Sequence, residues 1–95
     1  MNPRPKYTKK DINHADIVAQ CRELGMVVWD TADAGGEILD IIVFWKGKTL
    51  PVEIKSPGGT LTKDEKISLE KLEACGIKAI VAYSIEDILD AYNEM

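Results

Sequence analysis

The sequence predicts an α/β domain in which a mixed central sheet is flanked by helices, with the element order α-β-β-β-α-β-α. An apolar stripe at helical spacing marks the first helix, and a nearly continuous apolar run before a tight turn marks a hairpin. A capping-box sequence marks the start of a later helix. The chain has 95 residues, which suits a single domain.

The sequence of the N-terminal part predicts an arm followed by a helix. Residues 1–10 are rich in proline and lysine and carry no acidic residue, so we expect a flexible basic arm and a domain that spans 11–95. The stripe of apolar side chains predicts a helix from Asp11 to Leu24, with Asp11 as N-cap and Gly25 after its end.

The middle of the chain predicts three strands. Residues 26–31 form the first, and residues 38–45 form the second, which is apolar on both faces and therefore expected to be covered on both sides. Lys46-Gly47 predicts a two-residue turn into a third strand over residues 49–55. Trp29, Phe44 and Trp45 are expected in the core or at an interface rather than as platforms for stacking bases.

The last third predicts helix, strand and helix. Thr62-Lys63-Asp64-Glu65 fits a capping box, with Thr62 as N-cap, for a helix over residues 62–75. A strand over 77–82 and a short helix over 85–93, with Ser84 as N-cap, complete the domain.

Composition bounds the class of protein. Charged residues make up 29% of the chain and the net charge is −4, so a nucleic-acid partner would need a locally basic face. No apolar run is long enough to span a bilayer, and no apolar segment follows the N-terminal basic residues, so we expect a cytoplasmic protein without a membrane partner. Cys21 and Cys75 are expected to be reduced.

One acidic residue interrupts the most apolar predicted strand. Burying Asp40 alone would cost several kcal/mol, so a positive charge is expected beside it. With Trp45 paired to Lys48 across the turn, paired residue numbers sum to 93, which places Glu53 opposite Asp40 on one face. Two carboxylates that close suit Mg²⁺, with Mn²⁺ as substitute, and Lys55 would hold a water or phosphate oxygen. The alternative is an exposed charged cluster of little energetic worth.

The order of these residues resembles the VRR-NUC family of the PD-(D/E)xK nuclease superfamily. The resemblance rests on Gly36-Glu37-Ile38-Leu39-Asp40, on Val52-Glu53-Ile54-Lys55 with the glycine-containing loop after it, and on Leu61-Thr62 before the helix. It extends from about Asp11 to Tyr92. Leu39 stands where the family usually has proline, and Glu65 where it usually has glutamine.

The resemblance implies a restriction endonuclease-like core and a catalytic set of Asp40, Glu53 and Lys55. Asp40 and Glu53 would bind the metal, and Lys55 would assist the attacking water. It also implies an acid on the first helix, for which Asp16 is the choice by position and Glu23 the rival. Glu65 is a further candidate, although its capping role explains it fully.

The implied activity is that of a metal-dependent endodeoxyribonuclease, a hydrolase of phosphodiester bonds. Stand-alone members of the family, phage-type or bacterial, resemble Holliday junction resolvases of DNA repair that act as homodimers on four-way junctions. Lys63 and Lys66 are candidate DNA contacts. The alternatives are a dimeric DNA-structure or protein-interaction module without chemistry, and a nuclease that acts on flaps, nicks or RNA.

Overall fold

The computed structural model describes residues 11–34 and 38–95, and within them the predicted order of elements is confirmed. The elements are α1 (His14–Glu23), β1 (Val27–Asp30), β2 (Ile41–Trp45), β3 (Lys48–Ile54), α2 (Lys63–Ala74), β4 (Ile80–Ala82) and α3 (Ile85–Glu94). The predicted arm over residues 1–10, and Gly36 and Glu37 of the nuclease-like motif, lie outside the described residues.

The predicted mixed sheet is confirmed as four strands in the order β1-β2-β3-β4 within the described part of the chain. The pairs β1/β2 and β2/β3 are antiparallel, and the pair β3/β4 is parallel. Parallel neighbouring strands need a long crossover connection, and α2 lies in the connection between β3 and β4. The sheet therefore places the C-terminal ends of β3 and β4 side by side.

The hairpin between β2 and β3 has the predicted turn and register. Lys46 and Gly47 have φ angles of 55° and 76°, which are the positive values that a tight hairpin turn of the primed type requires. Trp45 lies opposite Lys48, and the pairing continues to Ile41 opposite Val52. The next position along each strand is Asp40 and Glu53, so both lie at the same end of the hairpin.

One face of the sheet forms the core. The buried side chains Ile41, Val43, Leu50, Val52 and Ile54 alternate along β2 and β3 and belong to the same cluster as residues of α1 and α3. This cluster comprises Ile17, Val18, Cys21, Met26, Val28, Ile41, Val43, Leu50, Val52, Ile54, Ala82, Ile85, Ile88, Ala91 and Tyr92. The Tyr92 hydroxyl donates within it, with the carbonyls of Val43 and Lys48 at 3.1 and 3.0 Å.

The opposite face is only partly covered. Helix α2 lies over Pro51 and Ile42, and a cavity of about 290 Å³ remains between the helix and the sheet. Ile38, which lines this cavity, is 55% exposed, and Trp29 on β1 is 59% exposed. The expectation that both sides of residues 38–45 are covered is therefore wrong for this half of the sheet. The same exposure shows that Trp29 is not a core residue of the described chain.

Several predicted boundaries shift for physical reasons. Helix α1 begins at His14, and Asp11 is not its N-cap, because the Asp11 carboxylate instead accepts hydrogen bonds from Ser56. Ser84 makes no capping hydrogen bond with its side chain, and the Asp87 carboxylate accepts from the Tyr83 backbone N–H at 2.8 Å. No helix in residues 11–34 or 38–95 combines the length and apolar character needed to cross a bilayer.

Candidate active site

Asp40, Glu53 and Lys55 meet at the end of the hairpin, on the face of the sheet that α2 partly covers. Asp40 directly precedes β2, Glu53 lies on β3, and Lys55 follows β3. The Asp40 carboxylate accepts a hydrogen bond from the Ile54 backbone N–H at 2.9 Å. The predicted clustering of these residues on a common surface therefore agrees with the geometry, and Asp40 also satisfies a backbone donor at the point where strand pairing ends.

Glu53 is the most buried ionisable side chain of the cluster, with 4% of its surface exposed. Burial, and next the negative charge of Asp40, raise the pKa of Glu53 to about 9; hydrogen bonds to Glu65 and Asp40 add to this effect. The raised pKa favours the protonated form of Glu53 at neutral pH, and a proton shared with the neighbouring carboxylates would compete with a cation for that position.

Lys55 places its positive charge beside Glu65 and Glu53, whereas the Asp40 carboxylate accepts from the Ile54 backbone N–H. The ammonium of Lys55 lies 3.0 Å from Oε1 of Glu65 and 3.8 Å from Oε2 of Glu53, and its side chain is only 12% exposed. Burial alone would lower the pKa of Lys55, but the hydrogen bond and charge of Glu65, with the charges of Glu53 and Asp11, raise it above its ordinary value. Lys55 is thus a mostly buried, charged donor beside the carboxyl groups of Glu53 and Glu65.

Glu65 combines a structural role with membership of the site. Its side chain accepts from the Thr62 backbone N–H at 2.8 Å, while Thr62 Oγ1 accepts from the Glu65 N–H, so the predicted capping box is confirmed. Burial acts to raise the pKa of Glu65, but the hydrogen bonds from Thr62, Lys55 and Glu53 lower it. The capping role therefore does not explain Glu65 fully, since the same carboxylate also holds Lys55.

Loss of the Thr62 cap is expected to destabilise the protein. Replacing Thr62 with alanine removes the hydroxyl that accepts from the Glu65 N–H, so we expect unfolding free energy to fall by about 1 kcal/mol. Chemical denaturation measures this change. A Thr60→Ala variant, just before the helix, is the matched control and should leave stability within about 0.5 kcal/mol of the parent. Equal stability of the Thr62 variant and the parent would contradict the capping role.

Sequence reasoning missed a second layer of contacts around Lys55. Oδ1 of Asp11 accepts from the Ser56 N–H at 2.8 Å and from the Ser56 hydroxyl at 2.7 Å. Nδ2 of Asn13 donates to the carbonyls of Lys55 and Tyr83 at 3.0 and 2.9 Å. The segment that leads into α1 therefore holds the chain on both sides of the lysine. The sequence indicated Asp11 only as a helix cap, because no local pattern relates Asp11 to Ser56, which lies 45 positions later.

The remaining predicted site residues lie on exposed helix surfaces. Asp16 and Glu23 are exposed on α1, and no hydrogen bond or ion pair joins either to Asp40 or Glu53 in the described part of the chain. The acid near α1 whose charge acts on Lys55 is Asp11. A metal-binding role for Asp16 stays a prediction. Lys63 and Lys66 are exposed in the first turns of α2, on the helix that supplies Glu65.

The cluster offers ligands of the type that Mg²⁺ or Mn²⁺ prefers, but not a complete set. Carboxylate oxygens of Asp40 and Glu53 are hard donors, and Glu65 is a third carboxyl group in contact with Glu53. Across residues 11–34 and 38–95, no group of three or more His, Cys, Asp or Glu side chains is arranged to hold a metal ion. Two carboxylates would hold the ion once Glu53 releases its proton, and water would complete the coordination.

Comparison with known proteins identifies no relative of the chain. No family model, no curated protein and no solved structure matches the chain. The case for a function therefore depends on the side chains of this site and on their arrangement.

Proposed function

We propose that the chain is a divalent-metal-dependent endonuclease that hydrolyses phosphodiester bonds in DNA. The observation that carries the proposal is the mostly buried Lys55 side chain, whose ammonium lies 3.8 Å from Glu53, with Asp40 and Glu53 on the same face of the sheet. A positive group and two carboxylates on one surface are suited to bind a cation and a phosphate together. Burial and the charge of Asp40 raise the pKa of Glu53, and carboxyl groups with raised pKa values beside a lysine are common at catalytic sites.

Each side chain of the site has a separate role in the proposed reaction. Asp40 and Glu53 would hold a Mg²⁺ ion, with Mn²⁺ as substitute. When bound, such an ion polarises a phosphoryl oxygen and lowers the pKa of a water molecule. Lys55 would donate to the attacking water or to a phosphate oxygen, and Glu65 keeps its ammonium in place through a contact of 3.0 Å. Asp11 and Asn13 fix the backbone around Lys55.

The substrate we propose is a four-way DNA junction, cut by a homodimer. The resemblance of the ordered residues to stand-alone VRR-NUC proteins supports this choice, and a two-fold dimer matches the symmetry of such a junction. Lys63 and Lys66 lie on the helix next to the site and would contact phosphates without reading sequence. The restriction endonuclease-like arrangement of the core belongs to the same proposal.

The test compares cleavage of a synthetic four-way junction by the parent and by Asp40→Asn with Mg²⁺. Asparagine keeps an oxygen that accepts from the Ile54 N–H, so the variant should fold while losing a charged metal ligand. We expect cleavage to fall by about 100-fold or more. Flap, nicked, duplex and RNA substrates in parallel reveal the substrate preference. Equal rates for parent and variant on every substrate would refute the assignment.

A second candidate is a binding module of the same fold without chemistry. The observation in its favour is that the described side chains do not form a three-ligand metal group. The net charge of −4 also favours a protein partner over DNA. Calorimetric titration with Mn²⁺ separates the candidates, since the nuclease should bind the ion and the module should not.

A further inference from the structure

An exposed tryptophan shares the face of the sheet that carries the candidate active site. Trp29 is 59% exposed, and the alternation of β1 places it with Val27 on the side opposite to the buried Val28. Trp29 lies opposite Ile42 on β2, and Ile42 shares this face with Asp40. A large aromatic side chain therefore lies in the open half of the face, next to the carboxylates.

The register fixes how far Trp29 lies from Asp40. Asp30 is opposite Ile41, and the ladder continues by one step because the Thr31 N–H donates to the Asp40 carbonyl at 2.9 Å. Trp29 is two residues from Thr31 and is thus the diagonal neighbour of Asp40. Such neighbours are about 7–8 Å apart, a distance that about two stacked nucleotides of one strand cover.

A neighbouring aromatic side chain holds the Trp29 ring. The indole packs edge-on against Phe44, with centroids 4.8 Å apart and an interplanar angle of 63°. This contact leaves ring surface open to solvent. Nη2 of Arg22 donates to the Val28 carbonyl at 3.0 Å, so a guanidinium from α1 lies at the outer edge of β1.

We propose that Trp29 stacks on an unpaired base next to the scissile phosphate. The substrate class would then be DNA with an unstacked nucleotide at the cleavage point, as at a junction, rather than continuous duplex. The proposal rests on the proposed nuclease function. Base–aromatic stacking tolerates any sequence because every base has a π-face.

Two observations favour a nucleic acid over a second copy of the chain on this surface. A protein partner lying flat on Trp29 would also cover Asp40, about 7–8 Å away, and would block the substrate. Extension of the sheet by a partner strand is also disfavoured, because Arg22 already occupies the Val28 carbonyl at the outer edge of β1. A base stacked on the indole, in contrast, brings its phosphate to the carboxylates.

The experiment measures binding of labelled DNA to the full chain with Ca²⁺ in place of Mg²⁺, a condition chosen to suppress cleavage. The probes are oligothymidine, a four-way junction and a paired duplex. For Trp29→Ala we expect affinity for oligothymidine and for the junction to fall roughly 5- to 100-fold, with duplex affinity unchanged. Trp29→Phe should keep most of the affinity. Val27→Ala removes an equally exposed apolar side chain from the same face and should change nothing.

A fluorescence measurement tests the contact directly. With Trp45 replaced by phenylalanine, Trp29 is the remaining tryptophan, and oligothymidine should quench its emission. Unchanged emission at saturating DNA, or equal affinities of parent and Trp29→Ala, would overturn the proposal. The proposal would also be overturned if the Trp29 and Val27 variants lost DNA affinity equally and a dimer dissociated in sedimentation experiments. That result would assign the surface to a second copy of the chain. Normal binding by Trp29→Ala with inactive Asp40→Asn would leave the nuclease assignment standing.

Discussion

Replacing Lys55 with methionine is expected to lower the rate of Mg²⁺-dependent junction cleavage by about 100-fold or more. The variant keeps an unbranched side chain of similar length in a site where the lysine is 12% exposed, but it loses the charged donor. A positioned donor to the reacting groups contributes roughly 10²–10⁴-fold to a rate. Single-turnover kinetics with excess protein measure the chemical step without a contribution from weaker DNA binding.

Lys78→Met is the matched control for this prediction. Lys78 also forms an ion pair, with Glu94 at 3.2 Å, but both side chains are well exposed and the pair lies outside the candidate site. An exposed pair contributes little to stability, so this variant should cleave at the parental rate. Comparable rates for Lys55→Met and Lys78→Met would show that Lys55 has no part in the chemistry.

Replacing Glu53 with glutamine is expected to stabilise the metal-free protein at pH 8 by about 1–2 kcal/mol. Glutamine has nearly the same shape and can donate to Asp40 and Glu65, while it cannot become a third negative charge in a buried cluster. Each kcal/mol corresponds to about 4–8 °C in Tm for a domain of this size. Thermal unfolding in a chelating buffer measures the effect.

The stabilisation should depend on pH with a definite sign. The pKa of Glu53 is raised from 4.5 to about 9 in the folded protein. Between these values the folded state retains a proton that the unfolded chain has released, so the stability of the parent falls as pH rises. The glutamine variant lacks this dependence. Its advantage over the parent should therefore vanish near pH 4 and grow towards pH 9.

Added metal is expected to make the parent more stable than the Glu53→Gln variant. An ion that binds only the folded state stabilises it, so under the proposal Mg²⁺ or Mn²⁺ should raise the Tm of the parent, while the glutamine variant should respond far less. Gln20→Glu, an exposed change on α1, is a control for a nonspecific effect of charge on Tm. A parent that gains no stability from either ion, or a glutamine variant that gains as much, would contradict metal binding at Glu53.

The hairpin and its register could be predicted because local chemistry determines them. Lys46-Gly47 favours a two-residue turn, and the side-chain period of a strand then leaves one register that keeps Val43 and Leu50 buried together. That register alone places Asp40 and Glu53 at the same end of the hairpin. The start of α2 was equally predictable, since Thr62 and Glu65 carry both halves of the capping box.

The support around the site could not be predicted because it comes from tertiary contacts. Asp11 bonds Ser56 and Asn13 bonds Lys55, and no periodicity relates residues so distant in sequence. The exposed half of the sheet was missed for a related reason. An apolar strand indicates two covered faces, but α2 covers β3 and leaves Trp29 open. How far an element reaches across a sheet depends on packing that the pattern does not contain.

Anomalous diffraction from crystals soaked in Mn²⁺ tests the proposed metal site of Asp40 and Glu53 most directly. We expect one strong peak between Asp40 and Glu53, with carboxylate oxygens of both residues at about 2.0–2.3 Å from it. Well-ordered crystals soaked to saturation at pH 8 that show no peak there, with the Glu53 side chain still bonded to Glu65, would contradict it.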